Sequence, residues 1–313
     1  MKYFFLDYAN GIYSAPQDIP GGAAEDAVTL TEADCNVIYD IYDTLVAKYP
    51  HIVSKQVLGN VFGWDLNRYS FRPLQPENTS NFTVPTFKIC IVTSIHGNEQ
   101  GCAWTAAHFF RLMMEDTHDP TLAFLRRNVV FEVIPVANPS GFSRNARCND
   151  NGVDLNRNFE KDFVYDMDKN SKYWGGEKPC SEAETKILMQ FIRENTDAKA
   201  VLDYHNIGKG WPLLYAYADA DVALARSVFS SLTEKWCKEY PDLPKDECLG
   251  RIKPNGGEGM FADFLREEKL WALTLETPWC MPVIGKEKYD AVTIRCAVDV
   301  LANTVLAIVR SYH

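Results

Sequence analysis

Short apolar runs alternate with helix-like segments along most of this chain, and no other feature limits the possible folds as strongly. Five runs are typical of buried strands, because each is short, continuous and apolar. They span residues 87–95, 129–136, 198–204, 213–217 and 270–275. Helices are predicted at 31–48, 99–114, 181–192, 221–239 and 289–311, and Ser181-x-x-Glu184 predicts a capping box for the third. This alternation predicts an α/β fold in which helices flank both faces of a sheet.

The sequence shows no sign of a second domain. It holds no internal repeat, no low-complexity tract and no Gly/Ser linker. A chain of 313 residues that is 46% hydrophobic can bury one large core. The N-terminal part includes a Pro/Gly/Ala-rich stretch. We therefore predict an N-terminal extension at 1–40, packed on a single domain at 41–313.

Charge and cysteine content limit the partners and the compartment. The formal net charge of -10, without a dense basic run, argues against nucleic acid or an anionic membrane as partner. No apolar stretch is long enough to span a bilayer, and the N-terminus lacks the features of a signal peptide. A cytoplasmic location is expected, with secretion left open if a signal has been removed. The nine cysteines include no Cys-x-x-Cys pair, which favours free thiols and leaves one or two disulfides open.

Three possible metal ligands follow two of the apolar runs. His96 and Glu99 come just after the run at 87–95, and His205 comes just after the run at 198–204. A lone His-x-x-Glu pair is common by chance, and His205 by itself fits a hydrogen-bonded core histidine. However, two of only six histidines end buried strands. Two His and one Glu leave a fourth position for water, which is the open form of a catalytic zinc site. The three residues therefore predict a catalytic zinc site.

A polar loop at 147–159 carries two arginines, Arg147 and Arg157. Its simplest interpretation is a surface loop, but Val153 and Leu155 interrupt it as if they held it against the core. A rigid Arg can bind a carboxylate through two parallel hydrogen bonds, and a second Arg can polarise a carbonyl. The loop is therefore a candidate substrate-binding segment.

Glu276 ends the apolar run at 270–275, beside Pro278. A carboxylate in that place is costly unless it is paired or used. A structural role as a turn cap or ion-pair partner is one alternative. The other is a general base that takes a proton from zinc-activated water and passes it to a leaving amine.

Taken together and in this order, these segments resemble the zinc carboxypeptidase family from about Ile41 to the C-terminus. The motifs that carry the resemblance are Tyr49-Pro50, His96-x-x-Glu99, the segment RCNDNGVDLNRNF at 147–159, the segment at 173–185, His205 and Thr274-Leu275-Glu276-Thr277. The resemblance implies a single-domain mixed sheet of about eight strands flanked by helices on both faces. It also implies one zinc ion held by His96, Glu99 and His205, with Glu276 as general base.

The resemblance further implies a metallocarboxypeptidase that hydrolyses C-terminal amino acids from peptides. Arg147 would polarise the scissile carbonyl, while Asn156 and Arg157 would hold the free C-terminal carboxylate of the peptide. Asn206, directly after the third ligand, would lie in the substrate subsites.

Two positions depart from the family pattern. The segment 251–260 has no Tyr where the family usually has a mobile one that covers the substrate. Asn98 stands where digestive members have an Arg, and His-Gly-Asn-Glu is similar to the aspartoacylase and succinylglutamate desuccinylase branch. The pocket floor is expected near 256–263, where Glu258 either favours basic terminal residues or, more simply, is a solvated loop residue.

Three other functions stay open on the sequence alone. They are a deacylase of small N-acyl amino acids, a peptidase acting on peptidoglycan stem peptides, and a non-catalytic binding module on the same fold. The long segment between His205 and Glu276 favours a peptidase, since it can build a substrate funnel. The presence of all three ligands together with Glu276 argues against a module that has lost catalysis.

Overall fold

The structure of this protein is a computed structural model. It describes residues 5–7, 12–14, 34–74, 87–115, 118–209, 212–239, 250–254, 258–282, 289–291 and 294–312. The predicted extension at 1–40 lies mostly outside these residues. Two short strands there, β1 (Phe5–Asp7) and β2 (Ile12–Ser14), pair antiparallel. Helix α1 (Asn36–Lys48) runs across the predicted boundary at residue 40, and Ile38 and Tyr39 are already buried in the core.

One mixed sheet forms the centre of the described chain. Its strands are β3 (Val53–Val61), β4 (Trp64–Phe71), β5 (Phe87–Thr93), β6 (Val129–Ile134), β7 (Ala200–Lys209), β8 (Leu213–Ala216), β9 (Arg251–Pro254), β10 (Ala272–Pro282) and β11 (Tyr289–Ala291). The order is β3-β4-β6-β5-β7-β10-β8-β9, with β11 paired to β10. The four central strands, β6, β5, β7 and β10, run parallel, and β3, β4, β8 and β11 are antiparallel to a neighbour. This confirms the predicted mixed sheet of about eight strands.

Helices cover both faces of the sheet. Besides α1, they are α2 (Gln100–Glu115), α3 (Pro120–Asn128), α4 (Pro139–Ser143), α5 (Ala183–Arg193), α6 (Asp219–Glu239), α7 (Phe261–Glu267) and α8 (Ile294–Arg310). Side chains alternate along a strand, so Ile89 and Ile91 pack with α1, α2 and α8, whereas Cys90 and Val92 pack with α5 and α7. None of the helices within the described ranges is long and apolar enough to cross a membrane.

Two local features differ from the sequence-based expectation. The hairpin β3–β4 was not predicted, because β3 is an edge strand with mostly exposed polar residues and no apolar run. Its two-residue turn, Phe62-Gly63, has positive φ at both positions (53° and 83°), which is the geometry that joins twisted antiparallel strands. The predicted capping box was wrong: Glu182 is the N-cap of α5, and the Ser181 hydroxyl donates to the Glu182 carboxylate at 2.6 Å.

Five cysteines whose side chains are described are free thiols. Cys35, Cys90 and Cys102 are buried, and Cys148 and Cys180 are half-buried. Burial raises the pKa of Cys35 to about 11, so that thiol stays protonated. The prediction of free thiols is confirmed for these five, while the side chains of the other four cysteines lie outside the description.

Candidate functional site

The three predicted metal ligands meet just beyond the carboxyl end of β5, beside His205 of β7, a strand that continues to Lys209. Their ligand atoms all lie within 4.8 Å of one another. Glu99 lies between the two imidazoles: its Oε1 is 2.8 Å from His96 Nδ1, and its Oε2 is 2.8 Å from His205 Nδ1. Both histidines are buried. Parallel strands end at the same edge of a sheet, and this is why residues more than a hundred positions apart come together.

The far nitrogen of each imidazole contacts a buried carboxylate. His96 Nε2 is 3.1 Å from Asp154 Oδ1, and His205 Nε2 is 2.9 Å from Asp203 Oδ1. Metal-binding histidines usually donate their second N–H to such a group, which sets the ring orientation and the tautomer. Both Nδ1 atoms are thereby left on the Glu99 side. Neither aspartate has a role predicted from the sequence, although Asp203 is two residues before His205 and thus on the same face of the strand.

The charges around Glu99 favour its ionised form. Burial by itself would raise the pKa of Glu99, but His96 and His205 hold it well below its usual range. Burial would lower the pKa of His205, but Asp203 and Glu99 raise it well above its usual value. The site thus holds an ionised Glu99 carboxylate between two imidazoles. Two imidazole nitrogens and one carboxylate oxygen form a donor set that suits zinc and leaves a fourth position open.

Arg147 is held beside this group by Asp154. Its Nε and Nη2 donate to Asp154 Oδ2 at 3.0 and 2.8 Å, and its Nη1 is 3.6 Å from Glu99 Oε1. Burial would raise the pKa of Asp154, but His96 and Arg147 hold it well below its usual range. The buried Asp154 carboxylate therefore connects one candidate ligand to the guanidinium that was predicted to polarise a carbonyl.

Asn156 and Arg157 follow on a single 3-10 turn, Leu155–Arg157. Asp154 Oδ1 accepts from the backbone N–H of Asn156 at 3.0 Å and so begins the turn. Asn156 Oδ1 accepts from the backbone N–H of Phe261 at 2.8 Å, which fixes the amide and leaves its Nδ2 as a donor. Arg157 Nη1 donates to the Asn156 carbonyl at 2.7 Å, and its Nε is 3.2 Å from Glu258 Oε2.

Glu276 lies in β10 as the register partner of His205 in β7. Register partners on neighbouring strands project to the same face of the sheet, so Glu276 projects to the face that holds the metal group. Its side chain is partly exposed, as a group that contacts substrate must be.

The side chain of Asn206 lies outside this group. It follows His205 along β7 and so faces the other side of the sheet, where its Nδ2 donates to the Thr277 carbonyl. A Cβ added at Gly101, at the start of α2, would lie 2.7 Å from Asn206 Oδ1. Only the backbone N–H of Asn206 reaches the site, where it donates to Glu99 Oε2 at 3.2 Å. The Asn206 side chain thus lies outside the candidate metal group, and its subsite role stays a prediction.

The segment expected to form the pocket floor, 256–263, lies partly outside the described residues. Within the described part, Glu258 pairs with Arg157 instead of being only solvated, and its backbone has a positive φ of 77°. The Gly259 carbonyl accepts from the Phe159 N–H at 3.0 Å, which ties this segment to the loop that carries the arginines.

The sequence of this chain is similar to those of known carboxypeptidases. The model of the family described as zinc carboxypeptidase (peptidase M14) matches residues 38–256. Carboxypeptidase A1 of Rattus norvegicus is 29% identical over 224 residues, which cover 63% of this chain and 51% of that protein. Carboxypeptidase A2 of Rattus norvegicus is 30% identical over 203 residues, which cover 58% and 46%. The chain thus spans about half the length of the curated relatives it matches.

Solved structures show the same fold. Carboxypeptidase A from Helicoverpa armigera superimposes with a TM-score of 0.66 at 16% identity, covering 89% of this chain and 73% of that one. A metallo-carboxypeptidase from Burkholderia cenocepacia gives a TM-score of 0.61 at 16% identity, covering 88% and 69%. At these identities the likeness supports the fold, and the chemistry is argued from the residues themselves.

Proposed function

This chain belongs to the zinc carboxypeptidase family, and from that premise we propose that it is a zinc-dependent metallocarboxypeptidase acting on peptides with a free C-terminal carboxylate. One observation carries the proposal. The loop 147–157 places Arg147 beside the candidate metal group, and Asn156 and Arg157 follow on the next turn of the same loop. A guanidinium for the carbonyl and a separate one for a terminal carboxylate suit an exopeptidase better than an endopeptidase.

The metal fits the residues that would hold it. His96, Glu99 and His205 supply two nitrogens and one oxygen at close range. The second nitrogen of each histidine contacts a carboxylate, that of Asp154 or Asp203, which fixes the ring. When bound there, zinc supplies Lewis acidity and lowers the pKa of a water molecule toward neutrality. The proposal is for one zinc ion per chain.

The protein's own side chains have separate roles in proton transfer, carbonyl polarisation and substrate binding. Glu276 takes the proton from the attacking water and later gives it to the departing amine. Arg147 donates to the oxygen of the scissile carbonyl, where negative charge develops as the water attacks. Asn156 Nδ2 and Arg157 bind the terminal carboxylate and align the last peptide bond. Asp154 positions both Arg147 and His96, so carbonyl polarisation and metal binding share one support.

The experiment that tests the function is a digest of a random peptide library, read by mass spectrometry for released C-terminal residues. We expect stepwise loss of terminal residues, loss of activity after chelation and recovery with added zinc. The same peptides with amidated C-termini are the matched control, and they should be cleaved far more slowly. Cleavage inside the chain, or equal cleavage of amidated peptides, contradicts the proposal. N-acyl amino acids and peptidoglycan stem peptides in the same panel would reveal the alternative substrates.

A further inference from the structure

Tyr173 contacts the guanidinium groups of both substrate-binding arginines. Its ring centroid lies 5.1 Å from Arg147 Cζ and 5.7 Å from Arg157 Cζ. A cation within about 6 Å of an aromatic ring is attracted to the ring face. Lys172, the preceding residue, also contacts the ring, at 5.3 Å. The two arginine side chains are mostly buried, with 19% and 12% exposed, so the ring is a substantial part of what surrounds them.

The backbone on each side of Tyr173 is bonded to the loop that carries the arginines. The Trp174 carbonyl accepts from the Asp154 N–H at 2.8 Å. The Lys172 carbonyl accepts from Cys148 Sγ at 3.6 Å, directly beside Arg147. At Gly175 the two segments approach so closely that an added Cβ would lie 2.2 Å from the Arg157 carbonyl oxygen. Tyr173 is therefore held in place by its neighbours and is not a residue on a free loop.

The ring also provides a support that the other contacts do not. Arg157 has a hydrogen bond to the Asn156 carbonyl, next to it in the chain, and an ion pair with Glu258, which is 58% exposed. Exposed ion pairs order a side chain weakly, whereas a planar guanidinium stacks well on an aromatic face. Asp154 fixes Arg147 through two hydrogen bonds. Because both guanidinium groups contact the same ring, the ring holds the less restrained Arg157 at a set position relative to Arg147.

We propose that Tyr173 is a positioning residue whose ring holds Arg147 and Arg157 at the spacing between two groups of the peptide, the scissile carbonyl of the penultimate residue and the carboxylate of the C-terminal residue. This inference rests on the proposed carboxypeptidase function. It gives the segment around Tyr173 a role in substrate recognition. Loss of the ring releases Arg157, and recognition of the terminal carboxylate then no longer aligns the scissile carbonyl with Arg147.

The test compares Tyr173→Leu, Tyr173→Phe and a control, Tyr165→Leu, in the zinc-loaded enzyme. Tyr165 is 70% exposed and its ring packs on Phe163. Each variant is assayed on a peptide with a free C-terminal carboxylate and on its amide. Tyr173→Leu should lower kcat/KM for the carboxylate peptide about 10-fold, which is about 1.4 kcal/mol. It should lower activity on the amide much less, so that the preference for the carboxylate shrinks, whereas Tyr173→Phe and Tyr165→Leu keep it.

A series of fluorinated phenylalanines at position 173 provides a second measurement that keeps the shape of the ring. Fluorine withdraws electron density from the ring face, so kcat/KM should fall stepwise with each added fluorine. A flat series, an unchanged carboxylate preference in Tyr173→Leu, or an equal loss in Tyr173→Phe overturns the role of the ring. A wild-type enzyme that releases no terminal residue would instead contradict the carboxypeptidase function, so the two failures are distinguishable.

Discussion

His205 and Glu276 are register partners on the adjacent parallel strands β7 and β10. Their side chains therefore project to the same face of the sheet, one as a candidate metal ligand and the other as the candidate general base. The strands belong to the central parallel part of the sheet, and Tyr204 and Leu275, one residue earlier on each, are fully buried. A rigid sheet thus sets the distance between metal group and base, which suits a reaction that requires accurate placement of a proton acceptor.

Replacing the general base should separate chemistry from metal binding. Glu276→Gln keeps the shape of the side chain but cannot accept a proton, so we expect kcat to fall at least about 100-fold. Zinc content, measured by elemental analysis, should stay at one ion per chain. Glu267→Gln, a change at an exposed position in α7, is the control and should leave both quantities unchanged. Near-wild-type turnover in Glu276→Gln would exclude the proposed mechanism.

The two aspartates behind the histidines should have different effects. Asp154→Asn and Asp203→Asn each disturb the partner of one imidazole, so both should weaken zinc binding roughly 10- to 100-fold in competition with a chelator. Only Asp154 also holds Arg147, through two hydrogen bonds. At saturating zinc, Asp154→Asn should therefore still have a reduced kcat, while Asp203→Asn recovers. Full recovery of both variants would disprove the shared-support role of Asp154.

Arg157→Ala should act mainly on substrate binding. Hydrogen bonds to a charged group contribute about 1.5–3 kcal/mol, so KM for peptides with a free C-terminal carboxylate should rise roughly 10- to 100-fold. KM for the amidated peptides should hardly change. Arg193→Ala is the matched control, since Arg193 is exposed at the end of α5 and pairs with Glu268. An unchanged KM in Arg157→Ala would count against the carboxylate-binding role.

Glu184, buried at the start of α5, should make stability depend on pH. Burial raises its pKa to about 7 from an ordinary value of 4.5, although Asn149 donates to it at 3.2 Å. Between these two values the folded state keeps a proton that the unfolded state has lost. The free energy of unfolding therefore falls as pH rises through this window. Below the window Glu184 has no effect on it, and above the window the full destabilisation is present.

The size of this effect is about 3 kcal/mol at most. Glu184→Gln should remove it, so the variant unfolds at higher denaturant concentration than the wild type at pH 8 and the difference shrinks toward pH 4.5. The exposed Glu160 provides the control variant, Glu160→Gln, which should follow the wild type. A difference between Glu184→Gln and wild type that does not vary with pH would show that Glu184 does not titrate in this range.

Part of the candidate site was predictable from the sequence because its causes are local. The apolar runs in β5, β7 and β10 each precede polar candidate residues, and the parallel pairing of these strands brings those positions together. Strands β7 and β10 do not end there, because they continue past His205 and Glu276 to Lys209 and Pro282. His96, Glu99 and His205 could be predicted as ligands on that basis, whereas the general-base role of Glu276 depended on the family resemblance as well. The 147–159 segment was recognisable because apolar residues hold it against the core, and Val153 and Leu155 are indeed buried.

Other features depend on contacts between distant segments, and only the tertiary structure decided them. The strand β3 has no apolar run of its own, and it forms because one of its edges pairs with β4. The face to which Asn206 points follows from the alternation of side chains along β7, which a list of motif residues does not contain. The bridge from His96 to Arg147 through Asp154, and the Tyr173 ring shared by the two arginines, require loops that fold against each other. Local sequence patterns thus determined which polar residues follow the apolar runs, whereas long-range packing determined how far the strands extend and which neighbours hold those residues in place.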